Sequence, residues 1–324
     1  MRLAPGVVLR VSFALLLAVT AFGLAQNLPV ITNRSLLPEP AAAAGGPPLR
    51  FVIVAPQVDH PFWLQVQRGA ETAAAGLRVS VELTGPRRAS LEEQVQLVDT
   101  ATAAQVDGIL TQGVPDPRLA EAIGRAADRG IPVITIGTDL PGRRLAYVGS
   151  DNRAAGRRAA AELLRRSDGT AVVGIVRGDF GAAAQDERVL GFREGLADAP
   201  GVRIIDSRDS GLSRSAAGQA ALGILTEHPE VTALYGTTAL DAVGIAQSVA
   251  ARGLSGRVLV IGWDYVDDAA EYLNDGTIGL LISEEPEEMG RLAVDLLEAY
   301  LRRDVRPLQS VFTHAGLQVG GRRT

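Results

Sequence analysis

From Leu49 onward, short apolar runs rich in β-branched residues alternate with stretches of helical periodicity, and that alternation admits few architectures. A run such as Phe51-Val52-Ile53-Val54-Ala55 is apolar at every position rather than at every second one. Such a strand must be covered on both faces, as in a parallel sheet flanked by helices. Similar runs follow at Arg78 to Leu83, Gly108 to Thr111, Pro132 to Ile136, Ala171 to Val176, Val202 to Asp206, Ala233 to Tyr235, Val258 to Gly262 and Ile278 to Ile282. Val106-Asp107-Gly108-Ile109-Leu110 and Gly130-Ile131-Pro132-Val133-Ile134 each read as a turn feeding a buried strand. The intervening segments read as helices. One spans about Pro61 to Ala75, with proline in its first turn and Phe62, Val66, Ala70 and Ala73 on one stripe. Another runs from about Asn152 to Arg166 and ends in Arg165-Arg166, suited to the negative end of a helix dipole. This many strands exceeds one compact doubly wound unit, so the expected fold class is α/β, with two doubly wound parallel-sheet lobes. Gly149-Ser150-Asp151-Asn152 is the natural first crossover, since it follows the short apolar run Leu145 to Val148 and precedes a strong helix start.

The N-terminus reads as an address. Arg2 and Arg10 precede an apolar stretch from Val11 to Ala25, interrupted only by Ser12, Thr20 and Gly23, and Gly23-Leu24-Ala25 offers the small residues a signal peptidase reads. Residues 1–25 are therefore expected to be a signal peptide cleaved before Gln26, and the stretch is shorter than the roughly 20 apolar residues of a spanning helix. Extension through Val7 to Leu9 across Arg10 is the alternative, an uncleaved anchor. Residues 26–48, rich in Pro, Ala and Gly without period, read as a flexible linker. The chain holds no cysteine, hence no disulfide, thiolate metal site or lipid-modified cysteine, and export without cysteine points to the periplasm. A net charge of −5 argues against a nucleic-acid partner.

No catalytic constellation is visible. The histidines, His60, His228 and His314, lie far apart, and there is no Gly-x-Ser-x-Gly elbow, phosphate loop or zinc spacing. His228, before Pro229, reads as a solvated helix cap. The expectation is a protein that is not an enzyme and carries no cofactor. Binding chemistry gathers instead at strand ends, where ligands sit in open parallel sheets. Phe62-Trp63 follows His60-Pro61 just after the first strand, in a chain only 4% aromatic. Flat apolar rings there suit the carbon face of a sugar, although either ring is equally free to face the core. Asp139, Asp264 and Glu284 each follow a strand, and carboxylates converging on a cleft accept hydrogen bonds from a polyol or an amine.

Taken in order, several segments resemble the ribose-type periplasmic sugar-binding proteins, substrate receptors of bacterial ABC importers that share their fold with the ligand domains of the lac-repressor family. They are Ala55-Pro56 through Pro61-Phe62-Trp63, Val106 to Leu110, Gly130 to Thr135, Ala146-Tyr147-Val148-Gly149-Ser150-Asp151-Asn152 with Ala155-Gly156, Glu187-Arg188 with Gly191-Phe192, and Val260-Ile261-Gly262-Trp263-Asp264. The resemblance implies two lobes joined by a three-crossing hinge that clamp a ligand on closing. By that analogy the N-terminal lobe is residues 49–150 plus 285–313, and the C-terminal lobe is 151–284 plus 314–324. The implied ligand-binding residues are His60, Phe62, Trp63, Gly137, Thr138, Asp139, Asp186, Thr238, Asp264 and Glu284, with Asp241 nearby and Arg188 supporting a second-lobe helix.

The chain departs from the ribose pattern. Gly137-Thr138 stands where those receptors place Asp-Arg, Asp186 where they place a sugar-gripping Arg, and Thr238 and Glu284 where they place Asn and Gln. Fewer guanidinium donors and more carboxylates would leave the acceptors of a ribose unmatched, at about 1–3 kcal/mol for each buried polar group left unpaired. The resemblance thus implies a monomeric receptor for a small polar ligand, a sugar other than ribose, a polyol, an amino sugar or a cationic metabolite. Its protein partner is an ABC importer permease or, in the alternative, a membrane sensor kinase.

Overall fold

The computed structural model describes residues 47–178, 183–306, 310–313 and 316–320. The expected signal peptide and most of the linker, with His314, lie outside the described residues. No helix among the described residues is long and apolar enough to cross a membrane.

Two six-stranded sheets form the frame. The first sheet contains β1 (Leu49–Val54), β2 (Val79–Thr84), β3 (Gly108–Thr111), β4 (Val133–Ile136), β5 (Ala146–Gly149) and β11 (Ser310–Phe312), in the order β11-β5-β4-β3-β1-β2. Every pairing in it is parallel. The second sheet contains β6 (Ala171–Arg177), β7 (Val202–Asp209), β8 (Ala233–Gly236), β9 (Leu259–Trp263), β10 (Ile278–Ser283) and β12 (Gly316–Val319), in the order β12-β10-β9-β8-β6-β7. It is parallel except where β12 pairs antiparallel with β10. Central strands β3, β4, β5 and β8 are buried at every residue, as their unbroken apolar runs require, whereas edge strand β2 alternates exposed with half-buried positions.

The helices are α1 (Pro61–Ala74), α2 (Leu91–Ala103), α3 (Pro117–Asp128), α4 (Asn152–Arg166), α5 (Ala183–Gly195), α6 (Arg214–Glu227), α7 (Ala239–Ala251), the short α8 (Ala270–Asn274) and α9 (Pro286–Arg303). Side chains of Ser90, Asp116, Asp151, Ser213 and Thr238 cap five of them by accepting a backbone N–H from the first turn. Helix α9 follows β10 of the second sheet yet packs on the first, its Met289, Leu292, Ala293, Leu296 and Leu297 sharing a core cluster with Phe51, Ile53, Leu110 and Ile134. Glycine permits this approach: a Cβ at Gly290 would stand 1.9 Å from the carbonyl oxygen of Val66, and one at Gly69 1.8 Å from that of Glu287.

The sequence does not announce β11 and β12. Both are short edge strands of partly exposed residues, and they form because neighbours already in place supply the ladder. Their consequence is topological, since the chain passes between the sheets after β5, after β10 and after β11. Thr313 ties these passages together. Its N–H donates to Gly149 O (2.8 Å), its hydroxyl donates to Glu284 O (2.8 Å), and that hydroxyl lies 3.3 Å from Ser150 Oγ.

Candidate functional site: a cleft at the strand ends

The C-terminal ends of the strands in both sheets open onto one cleft with a cavity volume of about 60 Å³, below the ~300–1,000 Å³ usual for small-molecule sites. The first sheet contributes the start of α1, with His60, Phe62 and Trp63, and the turn after β4, with Gly137 and Thr138. The second contributes Gln185 and Arg188 from α5, Thr238 at the start of α7, Asp264 after β9 and Glu284 after β10.

Each is held by local structure. His60 is the N-cap of α1, its Nδ1 accepting the N–H of Phe62 at 3.2 Å, and burial depresses its pKa to about 4, so the ring is neutral at neutral pH. Gly137 adopts φ +72°, which a side chain would strain. Asp264 also sits in the left-handed region (φ 52°), where aspartate is tolerated better than bulkier residues. Its Oδ1 accepts the N–H of Glu284 at 3.0 Å. Thr238 caps α7 through its hydroxyl, which accepts the N–H of Asp241 at 3.1 Å.

Arg188 is the hub of the second-lobe wall. It is buried, its guanidinium carbon stands 3.9 Å over the Trp263 ring, and it donates through Nε to Asn152 Oδ1 (2.8 Å) and through Nη1 to the Thr237 carbonyl (2.7 Å). Its Nη2 forms an ion pair with Glu284 Oε2. The other carboxylate oxygen of Glu284, Oε1, is buried without a hydrogen-bond partner among the described residues, so this wall presents an unsatisfied acceptor. Burial pushes the Asp264 carboxyl up to about 7, the Glu284 charge adding to the rise and Arg188 opposing it. A folded-state pKa above the ordinary value means that the unliganded protein loses stability as pH rises through about 7. Relative to Asp264→Asn, it should become less thermostable between about pH 4 and about pH 7, with no further loss above that, and a melting series on both proteins checks this. Parallel profiles would show that Asp264 ionises without penalty.

Three expected site residues are not among those lining the cleft. Asp139 turns to Arg144, which donates through Nη2 at 2.6 Å, and accepts from Thr135 Oγ1 at 3.0 Å; the nearly buried Arg144 needs that counter-ion inside its own lobe. Asp186 is largely exposed and pairs with Arg177 at 2.7 Å. The reason is helical phase: Gln185, Arg188 and Phe192 face inward, and the next residue after Gln185 is turned about 100° away. Asp241 is fully buried, accepting from Ser210 Oγ at 2.5 Å and from Thr237, and burial raises its pKa to about 6; it fastens the start of α7. The crowd of four carboxylates expected from sequence is therefore a pair, Asp264 and Glu284, with Arg188 between the lobe's core and the ligand space rather than merely bracing a helix. Trp63 lines the cleft yet is only 2% exposed, packing edge-to-face on Phe62 with ring centroids 5.4 Å apart. His228 is the C-cap of α6, in keeping with a cap.

Gln57, Gln112, Gln185 and Leu212 line the cleft without having been singled out. Gln112 directly follows β3, the same strand-end position that marked the acids, and Gln185 lies three residues before Arg188 on the inward stripe, so both carried a readable signal.

Residues 51–304 match the family described as Periplasmic binding protein domain. The chain is similar to the D-allose-binding periplasmic protein of Escherichia coli, 26% identical over 258 residues, covering 76% of this chain and 83% of that one. Among solved structures it resembles GanP, a glucose-galactose binding protein from Geobacillus stearothermophilus, with a TM-score of 0.79 and 37% identity over 85% of this chain and 98% of that one. It also resembles a chain solved as the XylFII-LytSN complex, with a TM-score of 0.76 and 30% identity over 84% and 98% of the two.

Proposed function

The chain belongs to the periplasmic binding protein domain family, and from that premise we propose that it is an exported receptor, not an enzyme, that clamps a small hydroxylated ligand between its lobes and delivers it to an ABC importer. The observation that carries this reading is the pairing of buried acceptors, Asp264 and a Glu284 Oε1 without a partner among the described residues, with the rings of Phe62 and Trp63 in one cleft. Hydroxyls of a sugar satisfy the acceptors while its carbon face packs on an apolar ring. The guanidinium of Arg188 is already committed to Glu284, Asn152 and Thr237, which supports a neutral or amino sugar over a sugar acid. The names of the relatives specify allose, glucose and galactose but also ribose, and support an aldose.

Thermal shift followed by calorimetry on D-allose, D-galactose, D-glucose, D-ribose, D-glucosamine and D-glucuronate tests it. A neutral or amino hexose at 100 times its Kd should stabilise the fold by about 2.7 kcal/mol. Tight binding of glucuronate alone, or of none of these, would overturn the reading. The similarity to a chain solved with a protein partner supports a second destination, presentation of the loaded receptor to a membrane sensor kinase.

A further inference from the structure

A cavity of about 460 Å³ lies at the opposite end of the second sheet from the cleft. It is lined where β6, β8 and β9 begin, at Ala171, Ala233 and Leu259, whereas the cleft stands where the strands end. The seven residues of β6 separate the two by roughly 20 Å at ~3.3 Å per residue. The volume falls within the ~300–1,000 Å³ of small-molecule sites. Its described lining includes Arg166 and Arg257 and no acidic residue. Two polar groups of its wall, Arg166 Nη2 and Ser167 Oγ, are buried without a hydrogen-bond partner among the described residues. Arg166 donates through Nε to Glu162 Oε2 at 3.3 Å, but that carboxylate also holds Arg165 at 2.7 Å, so its single charge is divided between two guanidiniums. Arg257 is exposed and makes no side-chain hydrogen bond or ion pair with a described residue.

A guanidinium N–H and a hydroxyl withdrawn from water cost stability until an acceptor meets them, and an ionised acceptor gives the stronger bond. We propose that this cavity is a second binding site, for a small organic anion whose carboxylate or phosphate oxygens accept from Arg166, Ser167 and Arg257 while its apolar body packs along Val258 and Leu259. The site goes beyond the sugar-receptor reading and does not depend on it, since it shares no residue with the cleft. Its polarity is the reverse of the cleft's, where Asp264 and Glu284 offer acceptors to a ligand's donors. Arg165 and Arg166 in the last turn of α4 offset the negative end of that helix's dipole, which would otherwise oppose an anion there.

Calorimetry on the full chain at fixed ionic strength, with inorganic phosphate, benzoate, phenyl phosphate and the neutral benzamide, tests the assignment. At least one of the three anions should bind, and benzamide should not. Ser167→Ala and Arg257→Ala should each weaken the tightest anion roughly tenfold, the effect of losing one charge-assisted hydrogen bond. Arg166→Met, which keeps the aliphatic stem without the charge, should abolish binding; if that variant does not fold, the other two carry the decision. Ser167→Ala gives a second readout, because without any anion its melting temperature should equal or exceed the parent's once an unsatisfied hydroxyl is gone. A lower melting temperature would mean that the hydroxyl is already satisfied in the empty protein, and overturns the proposal. Failure of all three anions to bind overturns it too, leaving water as the occupant. Binding that none of the substitutions weakens would place the anion elsewhere, the cleft included, and is equally fatal.

Discussion

Replacing Arg188 by alanine is expected to lower the stability of the protein by about 3–5 kcal/mol, the range for removing one partner of a buried ion pair. The guanidinium satisfies Glu284, Asn152 and the Thr237 carbonyl at once and lies on the Trp263 ring. Its removal leaves Asp264 and Glu284, 3% and 1% exposed, without a cation between them. Both cannot stay ionised there, so the pair takes up a proton and Asp264, already raised by burial, moves higher. Adding Glu284→Gln to the alanine variant should recover part of the loss, because it removes one of the stranded charges. Urea unfolding of the parent, the two single variants and the double variant measures the coupling. Additive losses would mean that Arg188 and Glu284 act independently, and the ion pair would then not organise the cleft wall.

An effect of similar size is expected from Trp63→Ala. Its ring is almost wholly buried in the cluster that joins β1, β4, α1 and α9, and truncating a buried Trp costs about 3–5 kcal/mol in lost burial and cavity formation. A ring that only stacked on a ligand would instead leave the empty protein's stability unchanged when removed. From sequence the ring was equally free to face the core or a ligand, and its 2% exposure places most of it in the core. Trp63→Phe, which keeps most of the apolar volume, should fold with a smaller loss and isolate any effect on ligand affinity. Chemical denaturation of the unliganded proteins decides the matter. A loss below about 1 kcal/mol for Trp63→Ala would place the ring on the ligand surface and outside the core.

Much of this architecture was legible in the residues because the physics behind it is local or one-dimensional. An apolar run such as Phe51 to Ala55 demands cover on both faces wherever it lies, and Pro61 after an extended His60 opens a helix whatever surrounds it. The position of Asp264 and Glu284 at strand ends was likewise readable, since ligands meet parallel sheets there. Tertiary structure decided what sequence spacing leaves degenerate. Asp139 and Asp264 look alike as acids after strands, yet Arg144 claims the first within its lobe while Arg188 and Glu284 surround the second. Asp186 and Gln185 differ by one position, and only the packing of α5, which buries Arg188 and Phe192, selects which of the two faces the cleft. The edge strands β11 and β12 exist because partners brought from far along the chain complete their ladders. In each case the deciding contact joins residues distant in sequence, and such a contact carries no local period by which it could be foreseen.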